Sequence, residues 1–183
     1  METDLETAAE ILMQGGVGVL ATDTLYGLVG SALSSETVDR IFTLKQRNHT
    51  KPLIVLIAQM EDLEQFGVVL SQKLISQLDQ YWPCPYSILL PVIDDQFEYI
   101  HRGTDQIAFR MPDKPDLLDL LRQTGSLVAP SANMEGMPPA KTVQDARNYF
   151  GTDVDFYVEG EELRGNPSTI ISFDGDEVII ERG

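Results

Sequence analysis

The sequence predicts an α/β domain built on a mixed β-sheet, and two observations carry that prediction. Segments with apolar residues at helical spacing alternate along the chain with short β-branched runs. Such alternation is typical of folds in which helices cover a sheet that contains parallel strands. Two β-type runs flank Asp174-Gly175, which indicates a hairpin and therefore antiparallel pairing as well.

The predicted helices rest on N-cap residues followed by apolar spacing. Thr3 and Glu6 form a capping-box pattern ahead of the first helix. Ser34 or Ser35 begins the second, in which apolar residues and Lys45 recur at i, i+3, i+4 and i+7. Three further helices are predicted: one after Ser71, one over residues 116–122, and one that begins at Thr142 with Asp145.

The predicted strands are short apolar runs bounded by glycine, proline or polar residues. They cover residues 17–22, 53–57, 87–92, 106–110 and 126–129, and the two runs of the hairpin follow them.

Length and charge limit the classes of function. The chain has 183 residues, 29 carboxylate side chains against 13 lysines and arginines, and a net charge of −16. The length predicts a single domain over residues 1–183. An acidic surface repels phosphates, which argues against a non-specific nucleic-acid coat and a polybasic membrane binder. An anionic substrate would therefore need a local positive site.

Cysteine and histidine are too scarce for structural cross-links. The chain has a single cysteine, Cys84, and two histidines, so neither a disulfide nor a Cys/His zinc cluster is predicted, and no metal-ligating residues are assigned. The apolar runs are too short to cross a bilayer, and the N-terminus lacks the basic region of a signal peptide. We expect a soluble, cytoplasmic protein with no membrane association.

The stretch from Arg40 to Met60 contains four basic residues and no carboxylate. Lys45, Arg47 and Lys51 fall near the turn after the second helix, where they would form a rim that faces phosphate groups. The same cations could instead complement the negative C-terminus of that helix, and from the cluster alone both interpretations stay open.

Two predicted strands end in loops with hydroxyl and amide side chains, a usual ligand position in α/β sheets. One loop covers residues 22–27, and the other carries Ser131 and Asn133. Ser131 has no G-x-S-x-G context and no triad partner, which favours a binding or oxyanion-stabilising role over a covalent one. Neither a P-loop nor a Rossmann glycine motif is present, so cations and strand-end loops would have to hold any ATP.

In combination, these segments resemble the YrdC/TsaC family, the threonylcarbamoyl-AMP synthases. The matching blocks follow the family's order along nearly the whole chain. They are TDTLYGL (22–28), the K-x-R of LKQRNHTKPLIVLI (44–57), WPCPYSILLP (82–91), IAFRMP (107–112), APSANMEGMPPAKTV (129–143), NPSTII (166–171) and ERG (181–183).

The resemblance implies an open, twisted mixed sheet with flanking helices and a concave cleft, in the single-domain bacterial form. It implies a nucleotidyltransferase that makes threonylcarbamoyl-AMP and pyrophosphate from L-threonine, bicarbonate and ATP, with Mg²⁺ accompanying ATP. Partner proteins then transfer the threonylcarbamoyl group to the tRNA adenosine beside the anticodon. This reaction relies on positioning and charge neutralisation, so no covalent enzyme intermediate is expected.

The resemblance also implies roles for individual residues. The expected catalytic residues are Lys45, Arg47 and Ser131. The expected threonine-binding residues are Thr24, Arg110, Ser131 and Ser168. The expected ATP-binding residues are Lys45, Arg47, Lys51, Asn133, Lys141, Thr142 and Arg182.

Two positions depart from the family's pattern. Cys84 replaces the glycine of a WPGP-type segment, which removes the easy access to positive φ at that turn. Glu135 adds a negative charge beside the expected ATP site. It would either bind a metal ion or face solvent, and we favour the second.

A second class of function is an RNA-binding or ribosome-maturation module on the same fold, without synthase activity. A concave basic surface would then bind RNA weakly through its phosphates, although the net charge of −16 counts against this. The carbamoyl-handling domains of hydrogenase maturation factors are a third possibility. Those act inside long chains with zinc-finger cysteines, which this chain lacks.

Overall fold

The computed structural model describes residues 1–92 and 94–182. Ten strands of these residues form one sheet. They are β1 (Glu2–Thr3), β2 (Gly18–Ala21), β3 (Tyr26–Ser31), β4 (Ile54–Leu56), β5 (Tyr86–Pro91), β6 (Gln106–Arg110), β7 (Leu127–Val128), β8 (Phe156–Val158), β9 (Thr169–Asp174) and β10 (Glu177–Arg182). Their order is β1-β8-β2-β3-β7-β4-β6-β5-β9-β10, so β1 and β10 form the two edges of an open sheet.

The sheet is mixed, as the sequence predicts. Strands β1 and β2 both pair in parallel with β8, and the pairs β4–β6 and β5–β9 are also parallel. The pairs β2–β3, β3–β7, β4–β7, β5–β6 and β9–β10 are antiparallel. The hairpin between β9 and β10 is confirmed, and Gly175 in its turn has a φ of 63°, where glycine is favoured. The predictions missed β1, β3 and β8, of which β1 and β8 are very short.

Six α-helices occur in the described part of the chain. They are α1 (Leu5–Met13), α2 (Ser35–Lys45), α3 (Gln72–Leu78), α4 (Glu98–His101), α5 (Pro115–Thr124) and α6 (Val143–Phe150), with 3₁₀ segments at Met60–Phe66 and Asp95–Phe97. Ser34, Ser71 and Thr142 are N-caps, as predicted. The predicted cap of α1 was wrong: Asp4 accepts the hydrogen bond from the Thr7 N–H, while Thr3 belongs to β1.

The two faces of the sheet carry two apolar clusters, built from alternate residues of the same strands. Val19, Leu28, Val55 and Val128 pack with α2 and α6 in the larger cluster. Their strand neighbours Leu20, Val29, Leu56 and Leu127 pack with α1 and α5 in the smaller one. Successive side chains of a strand point to opposite faces, so burial on both sides explains the nearly continuous apolar runs.

On one face of the sheet, helices α1 and α5 cover the part formed by β2, β3, β4 and β7. Farther along the same face, Ile54, Ala108 and Leu89 are cross-strand neighbours on β4, β6 and β5. This region forms the floor of the cleft described below. Among the described residues, no helix has the length and apolar character needed to cross a membrane.

Candidate active site

A cleft of about 320 Å³ lies on the open part of the sheet face. Ile54, Ala108 and Leu89 form its floor, and loop residues from 22–27, 47–53, 129–131 and 167–168 form its walls. The volume lies at the lower end of the range for small-molecule sites. The walls thus come from the loops that the sequence indicates, whereas the floor is the sheet itself.

The cleft carries a local excess of positive charge. Arg47, Arg110 and Arg182 line it, and Glu181 is the one acidic residue among the described lining residues. The Glu181 carboxylate accepts a hydrogen bond of 2.7 Å from the Ser172 hydroxyl. In a chain with a net charge of −16, these three guanidinium groups form the kind of local positive site that an anionic ligand needs.

One end of the cleft, which we call the Arg110 end, consists of Thr22, Asp23, Thr24 and Arg110. Arg110 is the last residue of β6 and is 4% exposed. Its Nη1 donates to Thr24 Oγ1 at 2.7 Å, and its Nη2 donates to Thr22 Oγ1 at 3.4 Å. Nη2 also lies 3.2 Å from Asp23 Oδ1 in a buried ion pair. Burial lowers the pKa of Arg110, and the Asp23 carboxylate opposes that shift.

Ser168 lies next to this end, on the loop that precedes β9. Its hydroxyl is hydrogen-bonded to the Ser87 hydroxyl at 2.7 Å, and its carbonyl accepts from Arg182 Nη2 at 3.3 Å. The loop approaches the Arg110 end closely, because a Cβ on Gly165 would lie 2.7 Å from the Thr24 carbonyl oxygen. Arg110 thus contacts Thr24, Arg182 contacts Ser168, and all four residues line the cleft, while their roles toward threonine and ATP stay predictions.

Lys45 lies beneath the cleft wall. It is 2% exposed, and its ammonium donates to the Ser131 carbonyl and, at 2.7 Å, to the Asn133 carbonyl. Burial, and secondarily the charge of Arg47, lowers the pKa of Lys45 to about 7. Lys45 joins the end of α2 to the loop that carries Ser131, and its contact with phosphates stays a prediction.

The Ser131–Asn133 loop is held by its own side chains and by β3. Ser131 Oγ donates to Asn133 Oδ1 at 2.6 Å, while Asn133 Nδ2 donates to the carbonyls of Met134 and Met137, both at 2.8 Å. The Ala132 N–H donates to the Tyr26 carbonyl at 2.7 Å. Ser131 lines the cleft, whereas the Asn133 amide is occupied in fixing the loop.

The residues that we call the turn end are Arg47, Asn48, Lys51 and Glu135, which are linked to one another by hydrogen bonds and an ion pair. Arg47 lines the cleft, and its Nη2 donates to the Pro52 carbonyl at 2.9 Å. Burial and the neighbouring Arg182 lower the pKa of Arg47, and Glu135 opposes them.

The interpretation of Glu135 as simply solvent-facing is wrong, because the side chain is engaged by the turn after α2. Its carboxylate forms an ion pair with Lys51 and accepts a hydrogen bond from the Asn48 N–H. These contacts lower the pKa of Glu135. Lys51, expected at ATP, is therefore engaged by a carboxylate of the facing loop.

Two further expected residues lie elsewhere. Thr142 caps α6 through a capping box with Asp145, so its hydroxyl is used within the helix end. Lys141 lines a separate cavity of about 290 Å³ beside Pro138 and Tyr149. Arg40, from the carboxylate-free stretch, pairs with Asp155 at 2.6 Å and is not among the cleft-lining residues.

Cys84 requires no special backbone conformation. Gln46, Arg102 and Asp105 are the non-glycine residues with positive φ in the described part of the chain, and Cys84 is not among them. Its N–H donates to the Met111 carbonyl at 3.3 Å. The substitution of glycine at this turn is therefore tolerated by the local backbone.

The sequence reasoning missed three residues that support the cleft: Thr22, Asp23 and Ser87. Thr22 and Asp23 belong to the TDTLYGL block but received no role of their own. Ser87 is fully buried in an otherwise apolar strand, and a hydroxyl at such a position is the signal that points to a buried partner.

The family model described as "Telomere recombination", for Sua5, YciO and YrdC proteins, matches residues 10–183. The chain belongs to this family. A relative in the family, the threonylcarbamoyl-AMP synthase of Marinobacter nauticus, is 34% identical over 171 residues, which are 91% of this chain and 90% of that protein.

Other family members are longer. The threonylcarbamoyl-AMP synthase of Bacillus subtilis is 31% identical over 184 residues, which are 99% of this chain and 53% of that protein. The crystal structure of Pyrococcus abyssi Sua5 complexed with L-threonine superimposes with a TM-score of 0.86 at 30% identity, covering 96% of this chain and 52% of that one. The chain thus spans about half the length of these two relatives.

Proposed function

We propose that this protein is a threonylcarbamoyl-AMP synthase, which condenses L-threonine, bicarbonate and ATP. The observation that carries the proposal is one cleft lined by three guanidinium groups, those of Arg47, Arg110 and Arg182. Threonine carries a carboxylate and ATP carries phosphates, and arginine recognises both groups through forked hydrogen bonds. The activity given for the Marinobacter nauticus and Bacillus subtilis relatives supports the same reaction.

The Arg110 end suits the amino acid. Arg110 would bind the threonine carboxylate, and Thr24 would contact the amino acid, with Ser168 nearby. The L-threonine complex of Pyrococcus abyssi Sua5 supports an amino-acid site in this fold. Ser131 would lie at the junction between the two substrates, and its role there is to bind and orient.

The turn end suits the nucleotide. Arg47 and Arg182 would engage the phosphates, with Lys51 joining once Glu135 releases it. Lys45 and Asn133 would act by holding the Ser131 loop. Lys141 lines a separate cavity and Thr142 caps α6, so their contact with the nucleotide rests on the family pattern alone. The positive charge of the lining residues Arg47 and Arg182 supports the assignment of those two.

Magnesium fits as part of the nucleotide substrate. No group of three or more histidine, cysteine, aspartate or glutamate side chains among the described residues is arranged to hold a metal ion. Mg²⁺ is commonly held by substrate phosphates, water and few carboxylates, so the donor set suits an ion that arrives bound to ATP. The protein's own arginines would then neutralise the remaining phosphate charge.

The chemistry needs no covalent enzyme intermediate. The threonine amine and bicarbonate form a carbamate and water, and a carbamate oxygen then attacks the α-phosphorus of ATP. The bond from that phosphorus to the bridging oxygen breaks, and pyrophosphate leaves with its electron pair. Positioning of the two reactants and neutralisation of the phosphates supply the acceleration.

Pyrophosphate release tests the proposal. Purified protein with L-threonine, bicarbonate, ATP and Mg²⁺ should release pyrophosphate and form threonylcarbamoyl-AMP. Reactions without threonine, or with L-valine, which lacks the hydroxyl, are the controls. No release above the threonine-free control would contradict the proposal, and salt-sensitive RNA binding in that case would favour the RNA-binding module.

The product is a reactive mixed anhydride, so we further propose that cytoplasmic partner proteins consume it to modify tRNA. Addition of tRNA and such transfer proteins should convert the product into threonylcarbamoylated adenosine, detectable by mass spectrometry of the digested tRNA. Release of threonylcarbamoyl-AMP without any transfer would leave the synthase step in place and contradict the downstream step alone.

A further inference from the structure

The ion pair between Arg110 and Asp23 is the most buried pair of opposite charges at the cleft. The Arg110 side chain is 5% exposed and the Asp23 side chain 7%, with 3.2 Å between Nη2 and Oδ1. Arg110 belongs to the cleft lining, whereas Asp23 does not. The carboxylate therefore contacts the guanidinium without lining the cleft itself.

Asp23 also connects two loops. Its second oxygen, Oδ2, accepts a hydrogen bond of 3.3 Å from the Asp113 N–H. Asp23 lies between β2 and β3, while Asp113 follows β6, so one carboxylate joins the Thr22–Thr24 turn to the segment after Arg110.

Arg110 keeps donor capacity for a ligand. A guanidinium has five N–H donors, and the two threonine hydroxyls together with Asp23 do not use all of them. Its Nε is buried without a hydrogen-bond acceptor among the described residues, and Asp23 Oδ1 is buried without a donor, so Nη2 and Oδ1 form an ion pair but no hydrogen bond. Buried donors without a partner are uncommon and mark places where a ligand completes the network.

We propose that Asp23 is a positioning residue for the amino-acid substrate, which it serves by fixing the guanidinium of Arg110 against Thr22 and Thr24. The inference rests on the proposed function, because it assigns the Arg110 end to an amino-acid carboxylate. Asp23 touches no substrate. It keeps the donors of Arg110 aimed into the cleft and prevents the guanidinium from turning toward solvent.

Loss of the Asp23 charge has two opposing effects. An uncompensated Arg110 would attract a carboxylate more strongly, but a buried guanidinium without a counter-ion is strongly disfavoured. Because Arg110 is almost fully buried, the second effect prevails and the guanidinium leaves its position. We therefore expect weaker, not tighter, binding of the amino acid.

The test compares Asp23→Asn with wild type. Asparagine preserves the shape of the side chain and an acceptor for Asp113, and removes the charge. Binding of L-threonine, measured by calorimetry without ATP, should weaken at least tenfold, while the KM for ATP in pyrophosphate release stays within twofold. Asp155→Asn is the matched control, because it breaks an Arg–Asp pair away from the cleft and should leave threonine binding unchanged.

A second variant separates positioning from charge. Asp23→Glu keeps the charge and shifts it by one methylene. If Asp23 acts by positioning Arg110, threonine binding should weaken in this variant too. If Asp23 acts only by neutralising the charge of Arg110, threonine binding should match wild type. This variant also carries the test if Asp23→Asn does not fold by circular dichroism.

The outcomes distinguish this inference from the proposed function. Wild-type or tighter threonine binding by the folded Asp23 variants would overturn the role of Asp23 alone. Threonine binding by wild type without pyrophosphate release would overturn the synthase and leave the Asp23 comparison intact. If wild-type protein binds no threonine, both are overturned.

Discussion

The two ends of the cleft use the same chemical groups in opposite ways. At the Arg110 end, the guanidinium is buried, paired with Asp23 and held by Thr22 and Thr24. At the turn end, the Lys51 side chain is 53% exposed, and its ion pair is with Glu135 on a facing loop. One end is assembled within the protein core, while the other is closed by a surface contact.

The difference has a physical consequence for binding. A buried pair is not broken without a large desolvation cost, so the Arg110 end presents its donors with little rearrangement. An exposed ion pair contributes little to stability and exchanges partners readily. A ligand at the turn end would therefore replace Glu135, whereas a ligand at the Arg110 end would add to contacts already present.

The same substitution at both ends should give unequal effects, and the larger is expected for Arg110→Lys. Lysine retains the charge that Asp23 needs but lacks the fork that binds Thr24 and a carboxylate together. Hydrogen bonds to charged groups contribute about 1.5–3 kcal/mol, so kcat/KM for threonine should fall about 100-fold. Pyrophosphate release at varied threonine measures this.

The control for that substitution is Arg122→Lys, which alters an exposed pair with Asp119 on α5. It should retain wild-type kinetics. If Arg110→Lys raises the KM for ATP as much as the KM for threonine, the division of the cleft into two ends is wrong.

Arg47→Lys tests the other end. Arg47 lines the cleft from a more open turn, and a lysine there keeps its charge near the phosphates. We expect kcat/KM for ATP to fall about tenfold, because one charge-assisted hydrogen bond is lost. Binding of threonine without ATP should be unaffected, and a matching loss of threonine affinity would show that the two ends are coupled.

Lys45 holds the loop that carries Ser131 and makes stability depend on pH. Its pKa in the folded protein is lowered to about 7, whereas in the unfolded chain it lies near 10.5. Between these values the unfolded chain binds the extra proton, so stability rises with pH through this window and is lost as pH falls toward 7.

Lys45→Met removes this titration. The difference in free energy of unfolding between wild type and Lys45→Met should shift by about 2 kcal/mol in favour of wild type from pH 7 to pH 9, as measured by urea denaturation. The exposed Lys73→Met provides the comparison. An unchanged difference across the two pH values would show that the Lys45 ammonium stays protonated.

The sequence predicted the helices and strands more completely than it predicted the contacts of the site. Caps at Ser34, Ser71 and Thr142 are local signals, and each helix begins there because a nearby hydroxyl accepts the free N–H. The floor of the cleft depends on register, since Ile54 faces Ala108 only through strand pairing between distant segments. No spacing rule along one segment predicts such a pairing.

The same limit applies to individual site residues. The charges of Lys45, Arg47 and Lys51 are evident in the sequence, but the partner that each cation binds depends on long-range contacts. Lys45 binds carbonyls 86 and 88 residues away, and Lys51 meets Glu135 across 84 residues. A charge cluster therefore predicts the place of a site, and only the fold assigns each cation to the ligand or to the protein.

Glu135→Gln should give the smallest effect and the only gain in affinity. The Glu135 carboxylate occupies the Lys51 ammonium and the Asn48 N–H, two donors that a phosphate group would use. Glutamine can still accept a hydrogen bond, but removing the charge weakens the hold on both donors and raises the positive field near Arg47. Because exposed ion pairs are weak, the KM for ATP should fall only about two- to fivefold, with the KM for threonine unchanged.

Glu162→Gln is the matched control, since Glu162 forms an exposed pair with Arg164 and is not among the cleft-lining residues. The effect of Glu135→Gln should shrink as salt concentration rises, because surface charges are screened, whereas an effect on loop structure would persist. A higher KM for ATP would mean that Glu135 supports the nucleotide site by holding the turn in place. The contrast between a preassembled end and an exchanging end would then not hold, because both ends would be fixed by their carboxylates.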